Sequence, residues 1–186
     1  SLWKDGKNVF ADKGELNQLG KQFTAGLQKR MGEAALCGAY TVNAYRRRQP
    51  YTFCPVNTSW GYDNRTVALR IIQGSDTAVR VEKRDAGADA NPYLLMATDI
   101  AAGLDGIEQG MEPTEPTTGN AYEEFNGDAI PTDLRDAIAL ARGSDWLKEV
   151  MGDLLWEQYC QMAERELEFF GQQVTQVETD RYLRSL

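Results

Sequence analysis

The chain has 186 residues, a formal charge of -8, a 42% hydrophobic fraction and no histidine. This is the size and apolar content of one folded domain with a sizeable core, and the acidic balance argues against non-specific nucleic-acid binding. Without histidine, the chain has no imidazole base, His-based triad or His-ligated metal of its own, so its chemistry must run through carboxylates, arginines or backbone.

Residues 1–14 are punctuated by Gly and Asp and read as a hairpin-like or loop start. Leu16, Leu19, Phe23, Leu27 and Met31 then recur at helical spacing, which predicts a helix over 15–37 closed by Gly38. Residues 43–64 are rich in Pro, Gly, Asn, Thr and aromatics, and Pro50 and Pro55 forbid a regular helix, so an ordered loop is expected. Two β-type runs, 66–72 and 78–84, flank a turn-forming Gln-Gly-Ser-Asp and predict a hairpin. Pro92 suits the first turn of a helix running through Leu104. Its apolar stretch, Tyr93 to Leu104, is interrupted by Asp99 and too short to cross a bilayer, and no signal-like segment opens the chain, so no membrane role is expected.

Residues 111–127 lack periodicity and read as a surface loop. Thr132 precedes a short helix to about Ala141, Ser144 caps another, and 153–174 form a long amphipathic helix ending in a polar tail. Cys37, Cys54 and Cys160 lie far apart without CxxC spacing. They suggest buried thiols in a reducing compartment, hence a cytoplasmic location. The pattern as a whole predicts an α+β fold with antiparallel strands packed on several helices and a helical C-terminal region.

The anomaly is arginine crowding in an acidic chain: Arg46, Arg47 and Arg48 on the loop, Arg65 and Arg70 by the first strand, Arg80 and Arg84 on the second. Strand alternation puts Arg80, Glu82 and Arg84 on one face and Val79 and Val81 on the other, with Val81 in the core. Two guanidiniums bracketing one carboxylate can hold a divalent cation beside a carboxylate or phosphate; the same pattern also suits an exposed ion-pair ladder.

Four ordered segments, Asn43–Arg47 (NAYRR), Asn64–Arg70 (NRTVALR), Arg80–Arg84 (RVEKR) and Asp89–Leu94 (DANPYL), resemble the second half of the catalytic domain of glutamine synthetases, and the likeness runs from the opening Ser-Leu-Trp to the terminal Arg-Tyr-Leu-Arg-Ser-Leu. The resemblance implies ATP-dependent joining of the glutamate γ-carboxylate to an amine through γ-glutamyl phosphate, with ATP and two or more Mg or Mn ions. By motif position, Arg47 and Arg84 would bind substrate glutamate and Arg65 would lie at the transferring phosphoryl group. Arg70, Arg80 and Ser1, with Arg65, would contact the nucleotide, and Glu82 would ligate metal. Phe53 stands where glutamine synthetases proper carry an ammonium-binding glutamate, and Thr77 where many carry a nucleotide-side lysine.

A phenyl ring cannot accept a proton from ammonium but can face an alkylammonium through cation–π contact or simply pack the loop, so an organic amine such as a polyamine is expected, as in the γ-glutamylpolyamine and γ-glutamylputrescine synthetase branch. Glutamine synthetase using ammonia, and a non-catalytic binding or assembly protein of the same fold, are the alternatives. The resemblance also implies that 1–186 is the C-terminal portion of a catalytic domain. The family's N-terminal domain, first-half metal glutamates and histidine-containing strand would lie elsewhere, and the segment alone would not turn over ATP. Ring-type homo-oligomers are expected of the full-length protein.

Overall fold

Asp5-Gly6 and Lys13-Gly14 take positive φ (50° and 73°, 53° and 80°), the left-handed conformation of two-residue hairpin turns. They fold the start of the computed structural model, which describes residues 1–185, into two antiparallel pairs: β1 (Trp3–Lys4) with β2 (Lys7–Asn8), and β3 (Ala11–Asp12) with β4 (Glu15–Leu16). Leu186, the end of the terminal motif, lies outside the described residues. The buried Asn8 amide donates to the carbonyls of Asp76 and Val79 at 2.8 and 2.7 Å, pinning these hairpins to the turn between later strands.

The helix expected over 15–37 is divided. Glu15 and Leu16 close the second hairpin, and the Asn17 side chain accepts from Gly20 N at 3.0 Å, so α1 spans Gln18–Arg30. Residues 31–34, with Gly32 among them, form a turn, and α2 (Ala35–Gly38) ends at the expected glycine. The supposed loop 43–64 holds two short elements. One is α3 (Val42–Tyr45), capped by Thr41; the other is β5 (Trp60–Tyr62).

β5 lies parallel to β6 (Leu69–Ile72), which pairs antiparallel with β7 (Arg80–Lys83), so the expected hairpin gains a parallel third strand. β6 starts later than expected because Asn64 Oδ1 accepts from Thr66 N and Oγ1, winding 64–66 into a turn. Leu69, Ile71 and Val79 are wholly buried behind the sheet against Phe10, Phe23 and Leu27, whereas Val81, expected in the core, is half-buried at its edge.

The Asn91 side chain caps α4 (Pro92–Glu108), with Pro92 in its first turn. Segment 111–127 is irregular, but it is no mere surface loop: Ala121 is wholly buried, Trp60 Nε1 donates to Thr114 O at 2.6 Å, and Thr117 N donates to Trp60 O at 2.8 Å. The short helix expected after Thr132 is α5 (Leu134–Arg142), capped by Asp133, and Ser144 caps α6 (Asp145–Met151). α7 covers Asp153–Gly171, and the tail holds a further helix, α8 (Gln176–Leu183), begun by a Thr175–Glu178 capping box. A second core joins α2, α3, α5, α6 and α7 around Leu36, Cys37, Leu134, Leu147 and Cys160. The three cysteines are buried and free, and burial pushes the Cys37 thiol up to about 12. No helix among the described residues is long and apolar enough to cross a membrane.

α1 and α4 approach backbone to backbone through glycine: a methyl added at Gly26 would lie 2.0 Å from Ala102 O and 2.8 Å from Gly106 N. Backbone on both sides cannot swing away, so Gly26→Ala should cost about 1–3 kcal/mol. Thermal denaturation should show a midpoint lower by roughly 2–10 °C; an unchanged midpoint would contradict this packing.

Candidate active site

In the antiparallel register Arg70 faces Glu82 and Ile72 faces Arg80, so these side chains share one side of the sheet while Leu69, Ile71 and Lys83 take the other. Arg70 Nη1 meets Glu82 Oε2 at 2.9 Å, and Arg84 Nε approaches Glu82 Oε1 at 3.5 Å. The carboxylate is therefore held between two guanidiniums, but the pair is not the expected Arg80 and Arg84: Arg70, directly across the ladder, takes the place of Arg80, which turns to Ala78 O instead. Arg70 is gripped on its other side by Asp63, whose φ is 46°. These pairs are half-open to solvent, so each adds little to the stability of the fold. Their consequence is placement.

Arg84 is the hub. Besides Glu82, its Nη1 donates to the carbonyls of Arg65 and Val67 (3.3 Å for Val67), and its Nη2 donates to Phe53 O at 3.1 Å. One side chain thus gathers Arg65, Glu82 and the Phe53 loop. That loop carries two residues in left-handed conformation, Tyr51 (φ 65°) and Phe53 (φ 59°), which costs a non-glycine residue about 1 kcal/mol or more each and persists only where the surroundings impose it. Arg84 imposes it from one side. From the other, Tyr122 Oη donates to Cys54 O at 2.9 Å and its ring lies 5.3 Å from that of Tyr51. Phe53 is 63% exposed in this structure.

Arg47, exposed, donates through Nη1 to the carbonyls of Asp85 (3.0 Å) and Ala86 (2.9 Å), immediately after Arg84. Its Nε and Nη2 have no partner among the described residues, and the Arg65 guanidinium likewise makes no hydrogen bond there. Both are available to an anion. Arg80 lies at the far end of β7, about 13 Å along the strand from Arg84. It donates to its neighbour Ala78 O at 2.9 Å. Ser1 lies within reach of its charge. The expected residues therefore fall into one group around Arg84 (Arg47, Arg65, Arg70, Glu82 and the Phe53 loop) and a second, Arg80 with Ser1, at the strand's other end.

A divalent ion does not fit this set by itself. Glu82 already faces two arginines, and the described residues contain no cluster of three His, Cys, Asp or Glu able to hold a metal.

Sequence reasoning missed the support behind the face. Lys83 points into the protein, its Nζ 3.0 Å from both Asp85 and Asp99 of α4. Burial lowers the Lys83 pKa, but the two carboxylates outweigh it and leave the ammonium raised. Burial alone would raise Asp85, yet Lys83 and Arg48 hold it below the usual carboxylate range, whereas burial dominates at Asp99 and raises it. Removing one partner from such a network costs about 3–5 kcal/mol. Alternation offered the signal, since Lys83 falls on the apolar face of the strand.

A family model described as "Glutamine synthetase, catalytic domain" matches residues 1–182. The γ-glutamylethanolamide synthetase GlnA4 of Streptomyces coelicolor is 41% identical over 177 residues, covering 95% of this chain and 38% of that protein. The γ-glutamylputrescine synthetase PuuA of Escherichia coli K12 is 37% identical over 183 residues, covering 97% and 38%. A solved GmaS/ADP complex superposes with a TM-score of 0.85 at 27% identity, over 96% of this chain and 43% of that one. The chain thus spans about two-fifths of the length of the curated relatives it matches.

Because Arg84 and Tyr122 hold the strained loop, replacing Arg84 by alanine should raise its opening. Losing a charge-assisted hydrogen bond worth about 1.5–3 kcal/mol corresponds to roughly a tenfold or greater rise in the open population. Chymotrypsin should then cut at Tyr51 and Phe53 at least tenfold faster, as followed by mass spectrometry. An unchanged rate would mean that the loop holds its shape without Arg84.

Proposed function

This chain belongs to the glutamine synthetase family, as part of its catalytic domain, and on that premise we propose that the full-length protein joins the γ-carboxylate of glutamate to an organic amine at the expense of ATP. A γ-carboxylate oxygen attacks the γ-phosphorus of ATP and ADP leaves. The amine nitrogen then attacks the γ-carbonyl carbon, the C–O bond to phosphate breaks, nitrogen loses a proton and inorganic phosphate departs. Clustered anions are the main obstacle in both steps, and fixed guanidiniums answer it.

The observation that carries this reading is the convergence on Arg84, which links the Phe53 loop, the Arg65 segment and Glu82 within one hydrogen-bonded shell. In this assignment Arg47 and Arg84 take the glutamate, Arg65 neutralises the transferring phosphoryl group, and Arg70, Arg80 and Ser1 serve the nucleotide along the strand. Glu82 would contribute one carboxylate to the Mg or Mn ions that supply charge neutralisation in this chemistry, and the remainder of the full-length protein would hold the other ligands. The exposed Phe53 ring offers an alkylammonium a π face and no base. Two of the matched relatives are named for ethanolamide and putrescine products, which supports an organic acceptor over ammonia.

We place the protein in the cytoplasm, where ATP and glutamate are abundant and its three unpaired thiols stay reduced. A ring-type homo-oligomer is supported by the exposed Phe169, Phe170, Val177 and Leu183 of α7 and α8.

The full-length protein, assayed for phosphate release with glutamate, ATP and Mg, should turn over putrescine or ethanolamine at a kcat/KM at least tenfold above that for ammonia. Phe53→Glu should move that ratio toward ammonia by about tenfold, because it removes the π contact and supplies a carboxylate. Equal rates with all three amines, unaltered by the substitution, would remove Phe53 from acceptor choice. No turnover with any amine would favour a binding or assembly role.

A further inference from the structure

Arg48 is 1% exposed, one residue from a guanidinium open to solvent. It lies 4.8 Å from the Tyr45 ring centroid, and it donates to Pro131 O at 2.7 Å and to Asp85 O at 3.3 Å, while its Nε has no partner. The Asp85 carbonyl is also one of the two that hold Arg47. Adjacent guanidiniums, one buried and one exposed, thus converge on a single peptide group. From the opposite side the Asp85 carboxylate is fixed by Lys83, and Lys83 by Asp99 on α4, at 3.0 Å each.

Four charges inside a small protein are an expensive way to pack it. Apolar side chains of equal volume would serve stability as well or better, and a network that leaves the buried Arg48 Nε without a partner is not optimised for hydrogen bonding. What it does control is the position of the peptide at Asp85 and Ala86. Arg47 has no other anchor: both of its bonds run through Nη1 to those two carbonyls. A guanidinium held at one nitrogen, with the other two available, is a carboxylate clamp whose ordering cost is met before the ligand arrives.

We propose that Arg48 is a positioning residue for Arg47, orienting it for the substrate carboxylate by locking the Asp85 carbonyl, with Lys83 and Asp99 bracing the same peptide from β7 and α4. The functional half of this rests on the glutamate-binding reading of Arg47; the placement of Arg47 does not.

In the full-length protein, Arg48→Met keeps the volume and removes the donors. The glutamate KM should rise five- to twentyfold, with kcat and the ATP KM within twofold, and Arg48→Lys, which restores one donor, should recover part of the loss. A crystal structure of Arg48→Met should show Arg47 displaced from the Asp85 and Ala86 carbonyls. Unchanged glutamate KM, equal damage to all three parameters, or Arg47 left in place would each overturn the proposal. If Arg48→Met does not fold, Asp99→Asn takes the same readout: a selective rise in glutamate KM of twofold or more sustains the proposal, and no change overturns it. Absence of glutamate-dependent turnover in the unmodified protein would sink the ligase reading alone, and the position of Arg47 in the variant would then decide this inference.

Discussion

The contact of Arg84 with Glu82 and with the backbone of the Arg65 and Phe53 segments is what everything else at this face depends on. A short antiparallel pair would ordinarily present charge to water in an arbitrary pattern, and half-exposed ion pairs stabilise little. Here one guanidinium is shared between a strand neighbour and three carbonyls from two loops. Its effect is geometric: segments far apart in sequence are held in one shell. The strained Tyr51 and Phe53 backbones belong to the same arrangement, since nothing in their side chains favours positive φ.

Behind the sheet the economy is different. The apolar face of β6 and β7 packs on α1 and α4, which meet through glycines with no room for a methyl group. That rigid block carries the strand, and Lys83 crosses the boundary between apolar and charged layers to tie β7 to α4 through Asp99. Packing therefore positions the strand, buried charge positions the peptide after it, and that peptide positions Arg47. Each layer restricts the next.

Much of this was legible in the sequence. Strand alternation correctly placed Arg80, Glu82 and Arg84 on one face and Val79 in the core, and Pro92 and Ser144 marked helix starts where helices begin. The misses have physical causes. Asn17 closes a hairpin and caps a helix at once, so helical spacing through Leu16 overran the true start. β5 is three residues long and parallel to its partner, a pairing that no local pattern encodes. The 111–127 segment has no periodicity because its order comes from hydrogen bonds to Trp60, Gln28 and Asn64 rather than from its own repeats. At the site, the resemblance supplied the arginines proposed to meet substrate, but the pairing of Lys83 with Asp85 and Asp99, and of Arg48 with the Asp85 carbonyl, was not legible, because a charge on an apolar face declares its purpose only when its partners are known.

The central claim is that one side of this small sheet, with the loop before it, seats an acidic substrate next to a triphosphate. A structure of the full-length protein with glutamate and a non-hydrolysable ATP analogue tests it most directly. The account predicts a glutamate carboxylate within hydrogen-bond distance of Arg47 and Arg84, with the phosphates along Arg65, Arg70 and Arg80. Ligand density on any other surface, with this sheet face left to water, would contradict it.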